Sequence, residues 1–275
     1  MKSISRRKDR AVQTAERLFP SSDVGVGDTG ARDRFEVALP DGSLLRERVV
    51  LDADGVLVIN KPPRLPTAGR SLEDTDCLQW HLMQATRRMV WAVHQLDADT
   101  SGVNVFVRRR TLVPVWQQAM AQPTASKRYV CWLHGELAPD EVVVDAPIGQ
   151  VDGPRFRWGV TPDGRPARSV FRVIERVPGF TLASVRIFTG RTHQIRVHAA
   201  SLGHSLVGEE WYRPTPCTLH DRQALHALSL DVQVEGVQMA LQAPVAADLL
   251  ELHQRLGFMP WQQAHVEAAR GPDSG

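Results

Sequence analysis

The chain has 275 residues, 43% of them hydrophobic and 23% charged, and its 33 Lys and Arg against 31 Asp and Glu leave a formal net charge of +2. That balance suits a folded globular protein, excludes a polycation, and offers no apolar run of membrane-spanning length. The basic start, Met1–Arg10, is not followed by an apolar signal core, so a cytoplasmic location is expected.

Residues 1–40 read as a polar extension, with a short helix around Ala11–Phe19 and a flexible linker over Pro20–Asp28. A folded domain is expected over 41–256 and a frayed tail over 257–275. Val56–Ile59 has the composition of a buried strand, punctuated by Asp54-Gly55 before it and ended by Pro62-Pro63. Leu78, Leu82 and Met83 recur at helical spacing within Asp76–Thr86. The polar segment His94-Gln95-Leu96-Asp97-Ala98-Asp99-Thr100-Ser101-Gly102 then sits between two apolar, β-favouring runs, Met89–Val93 and Val103–Val107. Strand, loop, strand is the pattern, with Asp97 held by framework on both sides; an ordinary surface turn has the same composition.

A helix is expected over Thr111–Ala121, with Pro114 tolerated in its first turn. Ser126–Gly135 reads as a strand and carries Tyr129, one of only two tyrosines. A loop bracketed by Asp145–Gly149 and Asp163–Ser169 interleaves Arg155, Phe156, Arg157 and Trp158, which suits stacking and backbone contact with single-stranded nucleic acid. Strands Ser169–Arg176 and Thr181–Phe188 join at Pro178-Gly179. Beyond them Thr192 is placed to cap a helix to about Leu202, with Ile195, His198, Ala199 and Leu202 on one face and Gly203 as its stop. A hairpin turning at Glu235-Gly236 and a helix ending near Leu256 close the domain.

Lysine occurs only at 2, 8, 61 and 127, so 29 of the basic residues are Arg. The clusters Arg108-Arg109-Arg110, Lys127-Arg128, Arg155 with Arg157, and Arg191 with Arg196 suit either a phosphate-tracking surface or a solvated charged face. Cys77, Cys131 and Cys217 are too far apart for a metal motif and odd in number, which argues against a disulfide framework. His193 and His198 fall on different helical faces, and with His204 they read as packing or capping residues, so no metal is expected.

Three of these segments together resemble the RluA-type pseudouridine synthases. His94–Gly102 is similar to the signature His-Arg-Leu-Asp-x-x-Thr-Ser-Gly at six of seven specified positions, Gln95 replacing Arg. Lys127-Arg128-Tyr129 matches the family's Lys-x-Tyr strand, and Gly190-Arg191-Thr192-His193-Gln194-Ile195-Arg196-Val197-His198 is a full match to its third motif. The segment Leu57–Pro62 resembles a further family stretch. The resemblance implies an α+β pseudouridine synthase fold: a bent, mainly antiparallel mixed sheet flanked by helices, with a central RNA cleft and no S4-type domain.

It also implies an RNA uridine isomerase acting on ribosomal or transfer RNA, without metal or organic cofactor and without an obligate protein partner. Asp97 is then the catalytic carboxylate, Tyr129 the residue stacking on the target base, and Arg191 the guanidinium that steadies the carboxylate. His94, Gln95, Leu96, Thr100, Lys61, Lys127, Arg128, Ile195 and Arg196 become the expected substrate and RNA contacts. Lys61 is equally suited to pairing with a carboxylate. Gln95 brings neither charge nor a broad stacking plane, so altered target choice or slower base flipping is expected. Two alternatives stay open: a non-catalytic RNA-binding relative, and a glycoside hydrolase using Asp97 with Asp99.

Overall fold

The computed structural model describes residues 35–53, 55–71, 74–152, 157–215 and 217–271. The helix expected over 11–19, the 20–28 linker, Asp54, Arg155 and Phe156 lie outside them. In chain order the elements are β1 (Val49–Ala53), β2 (Val56–Lys61), α1 (Leu78–Thr86), β3 (Trp91–Ala92), β4 (Ser101–Val107), α2 (Leu112–Met120), β5 (Ser126–His134) and β6 (Glu141–Asp145). They continue with β7 (Ile148–Val151), β8 (Arg157–Val160), β9 (Arg168–Val177), β10 (Phe180–Ile187), α3 (Gln194–Ser201), β11 (Leu225–Val234), β12 (Val237–Gln242), α4 (Ala247–Arg255) and α5 (Gln263–Arg270). The class is α+β.

The described chain forms two compact units, to both of which β4 and β11 contribute residues. The first comprises the residues up to Ala98 with Val103–Ala125 and Leu230–Ala243. Here β1, β2 and β4 are neighbours in that order, β3 pairs with β4, and β12 with β11. Every residue of β2 is buried, which is why that strand reads as a continuous apolar run and not as an alternation. Helix α2 buries Leu112, Trp116, Ala119 and Met120, one helical stripe, against β-strand valines such as Val58, Val105 and Val232. The β11–β12 turn is a two-residue loop with Glu235 at φ 49° and Gly236 at φ 89°, the left-handed pair that a tight hairpin needs.

The second unit comprises Asp99–Gly102, Ser126–Ser229 and Pro244–Gly271. Its sheet runs β11-β5-β10-β9-β6, and the start of β4 adds to β11 in parallel, Ser101 opposite His226 and Gly102 opposite Ala227. The β5–β10 and β9–β10 pairs are antiparallel. Along β5 the pleat alternates: Ser126, Arg128 and Val130 are buried, whereas Lys127 and Tyr129 are half-buried and share the opposite face.

Three expectations are corrected here. The tail is not frayed up to Gly271: α5 buries Val266 and Ala269 in the cluster that holds Trp132, Leu249 and Leu252. Arg157 and Trp158 do not lie on an open loop but in β8, paired with Val151 and Gln150, and Trp158 packs against Ile148, Ala167 and Val197. Thr192 does not cap α3. The N-cap is His193, in the left-handed region at φ 55°, and Gln194 makes the turn's hydrogen bonds instead.

Candidate active site

In the first unit the loop bearing Asp97 is tied down residue by residue. The Thr67 hydroxyl accepts from the Leu96 amide at 3.0 Å and donates to the Leu96 carbonyl at 3.3 Å. The Asn104 amide donates to the His94 carbonyl (3.2 Å), and His94 Nε2 accepts from the Val105 amide (3.2 Å), so that ring nitrogen carries no proton. Lys61 lies beneath. It is fully buried, and its ammonium donates to the carbonyls of Pro62 (2.9 Å), Leu65 (2.7 Å) and Ala98 (2.7 Å). Of the two roles the sequence left open for Lys61, contact with RNA backbone or pairing with a carboxylate, its full burial speaks against the first, and its three carbonyl bonds make it a loop anchor. Asp97 itself is half-buried, Gln95 is exposed, and Leu96 is buried. Thr100, in the second unit, is buried too, and its hydroxyl finds no partner among the described residues.

The second unit presents Tyr129 and Lys127 on one face of β5, opposite Val185 and Ile187 of β10. Tyr129 packs at the edge of a cluster that includes Ile195, Val185 and Leu206. Burial, and then the charge of nearby Arg191, hold the Lys127 ammonium below its ordinary pKa. Neither cation makes an ion pair among the described residues, so Lys127, on the Tyr129 face of β5, and Arg191 near it are mutually repelling charges, an arrangement that an anion would relieve. The Arg191 guanidinium is oriented by a 3.0 Å bond to the Pro166 carbonyl, and its backbone amide donates to Gln194 Oε1 at 3.0 Å. Gln194 also accepts from the Thr189 hydroxyl and donates to the Arg168 carbonyl and Ser169 hydroxyl. Few other side chains fix so much of the motif, and sequence reasoning passed it over.

Two other expected RNA contacts face inward. Arg128 is buried, donating to the Ser126 hydroxyl (2.9 Å) and the Ala269 carbonyl (3.4 Å). Arg196 makes a two-point pair with the fully buried Glu209 at 2.8 and 2.7 Å, and its guanidinium lies against the rings of Trp211 and Tyr212. Burial pushes the Glu209 carboxyl up, but the Arg196 hydrogen bond and charge outweigh it and leave the group below its usual range. Glu209 was not singled out from sequence; a Glu followed closely by Trp211 and Tyr212 is the signal that could have found it.

The histidines follow suit. His193 Nδ1 lies 2.7 Å from the Tyr212 hydroxyl, His198 sits between the Ser169 hydroxyl and the Ala146 carbonyl, and His204 faces the His134 carbonyl. A different trio, Glu175, His253 and His265, has donor atoms within 4.8 Å of one another. It does not suit a cation. His253 Nδ1 accepts from the Trp132 indole at 3.2 Å and Nε2 donates to the Met259 carbonyl at 2.6 Å, so neither nitrogen has a lone pair to give.

A family model described as RNA pseudouridylate synthase matches residues 55–201. The chain belongs to the RNA pseudouridylate synthase family. The match spans the Asp97 loop, the Tyr129 strand and the Arg191 motif. Among curated members of the family, the ribosomal large subunit pseudouridine synthase D of Nitrosomonas europaea is 32% identical over 239 residues, covering 78% of this chain and 66% of that protein. The RNA pseudouridine synthase YjbO of Bacillus subtilis is 34% identical over 221 residues, covering 76% and 78%. YlyB of the same organism is 36% identical over 166 residues, and the aligned part is 55% of its length. The chain thus spans only about half the length of some curated relatives. Two human structures, RNA pseudouridylate synthase domain containing 4 and domain containing 1, superpose with TM-scores of 0.65 and 0.64 at 21% and 23% identity. They cover 79% and 82% of this chain and share its fold.

Proposed function

We propose that this family member isomerises uridine to pseudouridine in ribosomal or transfer RNA in the cytoplasm, with Asp97 as the catalytic carboxylate. The observation that carries this reading is the Asp97 loop itself: a half-exposed carboxylate on a segment whose flanking carbonyl, that of Ala98, is fixed by a buried ammonium. The reaction breaks the C1′–N1 bond and forms C1′–C5; the C5 hydrogen leaves to solvent while N1 takes up a proton. Asp97 acts at the sugar, as nucleophile or as the base removing a sugar proton. Tyr129 stacks on the extruded base, and Arg191 is the guanidinium that the family resemblance assigns to steadying the carboxylate. Lys127 and Arg191 supply charge for the phosphates flanking the flipped nucleotide. By the family resemblance His94, Leu96, Thr100 and Ile195 are further substrate contacts. None of these roles uses a metal or an organic group.

Tritium release from RNA labelled at uridine C5 tests the reading, with Asp97→Ala as the matched control. Release by the wild type and none by the variant is expected. RNA binding without release, across ribosomal and transfer RNA, would instead favour a non-catalytic relative, for which the exposed Gln95 is the pointer.

A further inference from the structure

We propose that Arg222, anchored by Asp248, is a positioning residue for the loop that carries Asp97; its catalytic consequence rests on the function proposed above. Arg222 is almost completely buried, at 3% exposure. One edge is gripped by Asp248, with Nε to Oδ2 at 2.6 Å and a second nitrogen to Oδ1 at 3.0 Å. The other edge turns to the exit of the loop. It donates to the Asp99 carbonyl at 2.8 Å and to the Ser101 hydroxyl at 3.3 Å, and more weakly to the carbonyls of Leu225 (3.3 Å) and Gln223 (3.4 Å). Ser101 Oγ lies in turn 2.9 Å from His226 Nδ1, both buried, where β4 begins its parallel pairing with β11.

Consecutive carbonyls, those of Ala98 and Asp99, thus each receive a buried cation: Lys61 takes the first and Arg222 the second. Asp97 is the residue immediately before. A peptide whose oxygen is fixed has a fixed plane, so these two contacts set where the chain leaves the carboxylate. Asp248 keeps the clamp ionised: burial raises its carboxyl pKa, but hydrogen bonds from His220 and Arg222 and their charges bring it well below the ordinary range. The base of the clamp is rigid as well. A Cβ on Gly208 (φ 75°) would run into the Arg222 carbonyl, so the chain passes there only as glycine.

A strut joining α4 to the sheet would need only the Arg222–Asp248 pair, and a buried ion pair is a weak device for stability alone. Holding the orientation of one carbonyl, by contrast, needs a donor at one place. That difference is measurable.

The experiment compares wild type with Arg222→Lys and with the double variant Arg222→Met/Asp248→Leu, which removes the Arg222–Asp248 ion pair as a unit. Backbone hydrogen exchange is read over residues 95–101, with the β9–β10 hairpin as internal reference. Tritium release under single-turnover conditions and RNA affinity are read on the same folded samples. Loss of the clamp should speed exchange in 95–101 by about tenfold with the hairpin unchanged. It should also slow release by about 100-fold with RNA affinity kept, the cost of a misplaced reacting group.

Unchanged exchange in the loop, in folded variants, overturns the clamp. Faster exchange with an undiminished single-turnover rate overturns its catalytic part. Should the wild type release no tritium, the pseudouridine reading fails, and the exchange measurement still decides the clamp by itself.

Discussion

Gly102→Ala puts the packing at the end of the Asp97 loop to a quantitative test. Gly102 closes the segment at φ 113°, where L residues are strained, and sits in the parallel register directly opposite Ala227. A Cβ built there lies 2.7 Å from both the N and the C of Ala227 and nearer still to its carbonyl oxygen. All three are backbone atoms, so no side chain can swing aside to relieve the contact. The backbone conformation costs about 1–3 kcal/mol, and forcing a methyl into a filled space about 1–3 kcal/mol more.

Gly179→Ala is the matched control. Its φ of 81° is also left-handed, but nothing lies within 4 Å of the added Cβ. It should lose only the conformational term, about 1 kcal/mol. Urea unfolding of the two variants should therefore differ by about 1–5 kcal/mol, a large part of a typical domain's total stability. Tritium release should fall in Gly102→Ala alone, because the strand start must move away from β11 and takes the loop exit with it. If the two glycine variants unfold at the same midpoint, the close approach inferred between Gly102 and Ala227 is wrong.

Lys61→Met leaves the carbonyls of Pro62, Leu65 and Ala98 without their donor, and thermal unfolding should show a loss of about 2–4 kcal/mol. Arg196→Met strands a buried Glu209 carboxylate and should lose about 3–5 kcal/mol, whereas Arg196→Met with Glu209→Leu should recover most of it; comparing the two midpoints checks this. Gln95→Arg, at an exposed loop position, should change the modified site or the rate of tritium release with little effect on the midpoint. The pH response has a definite sign. Burial, with a smaller contribution from the charge of Arg213, lowers the His134 pKa to about 4, so the unfolded chain takes up that proton first as pH falls through about 6.5. Stability is then lost from about pH 6.5 down to about 4; at pH 5 the loss is at most about 2 kcal/mol, since His134 is only half-buried. Unfolding midpoints at pH 7.5 and 5.0 should draw closer together in His134→Gln.

The elements that the sequence makes legible are those whose cause is local. Leu78 and Leu82, a turn at Glu235-Gly236, and a Pro tolerated in the first turn of α2 each act within a few residues, and each expected element is present. The misreadings share a different cause: the deciding partner lies far along the chain. Nothing near Lys61 announces that its acceptor is Ala98, nor near Arg196 that Glu209 awaits it, nor near Arg128 that Ala269 will cover it. A basic residue in a family motif looks the same in sequence whether it faces a phosphate or a buried carbonyl.

Structure separates these roles by exposure and partner. Among the cations read from the motifs, Lys127 and Arg191 stay half-exposed and repel one another, while Lys61, Arg128 and Arg196 are internal. The first two are therefore the ones whose replacement should weaken RNA binding, and with it the salt dependence of that binding. The other three should act through the fold. Lys61, Arg128 and Arg196 thus spend their charge on partners inside the protein, and under the proposed function the RNA phosphates fall to Lys127 and Arg191.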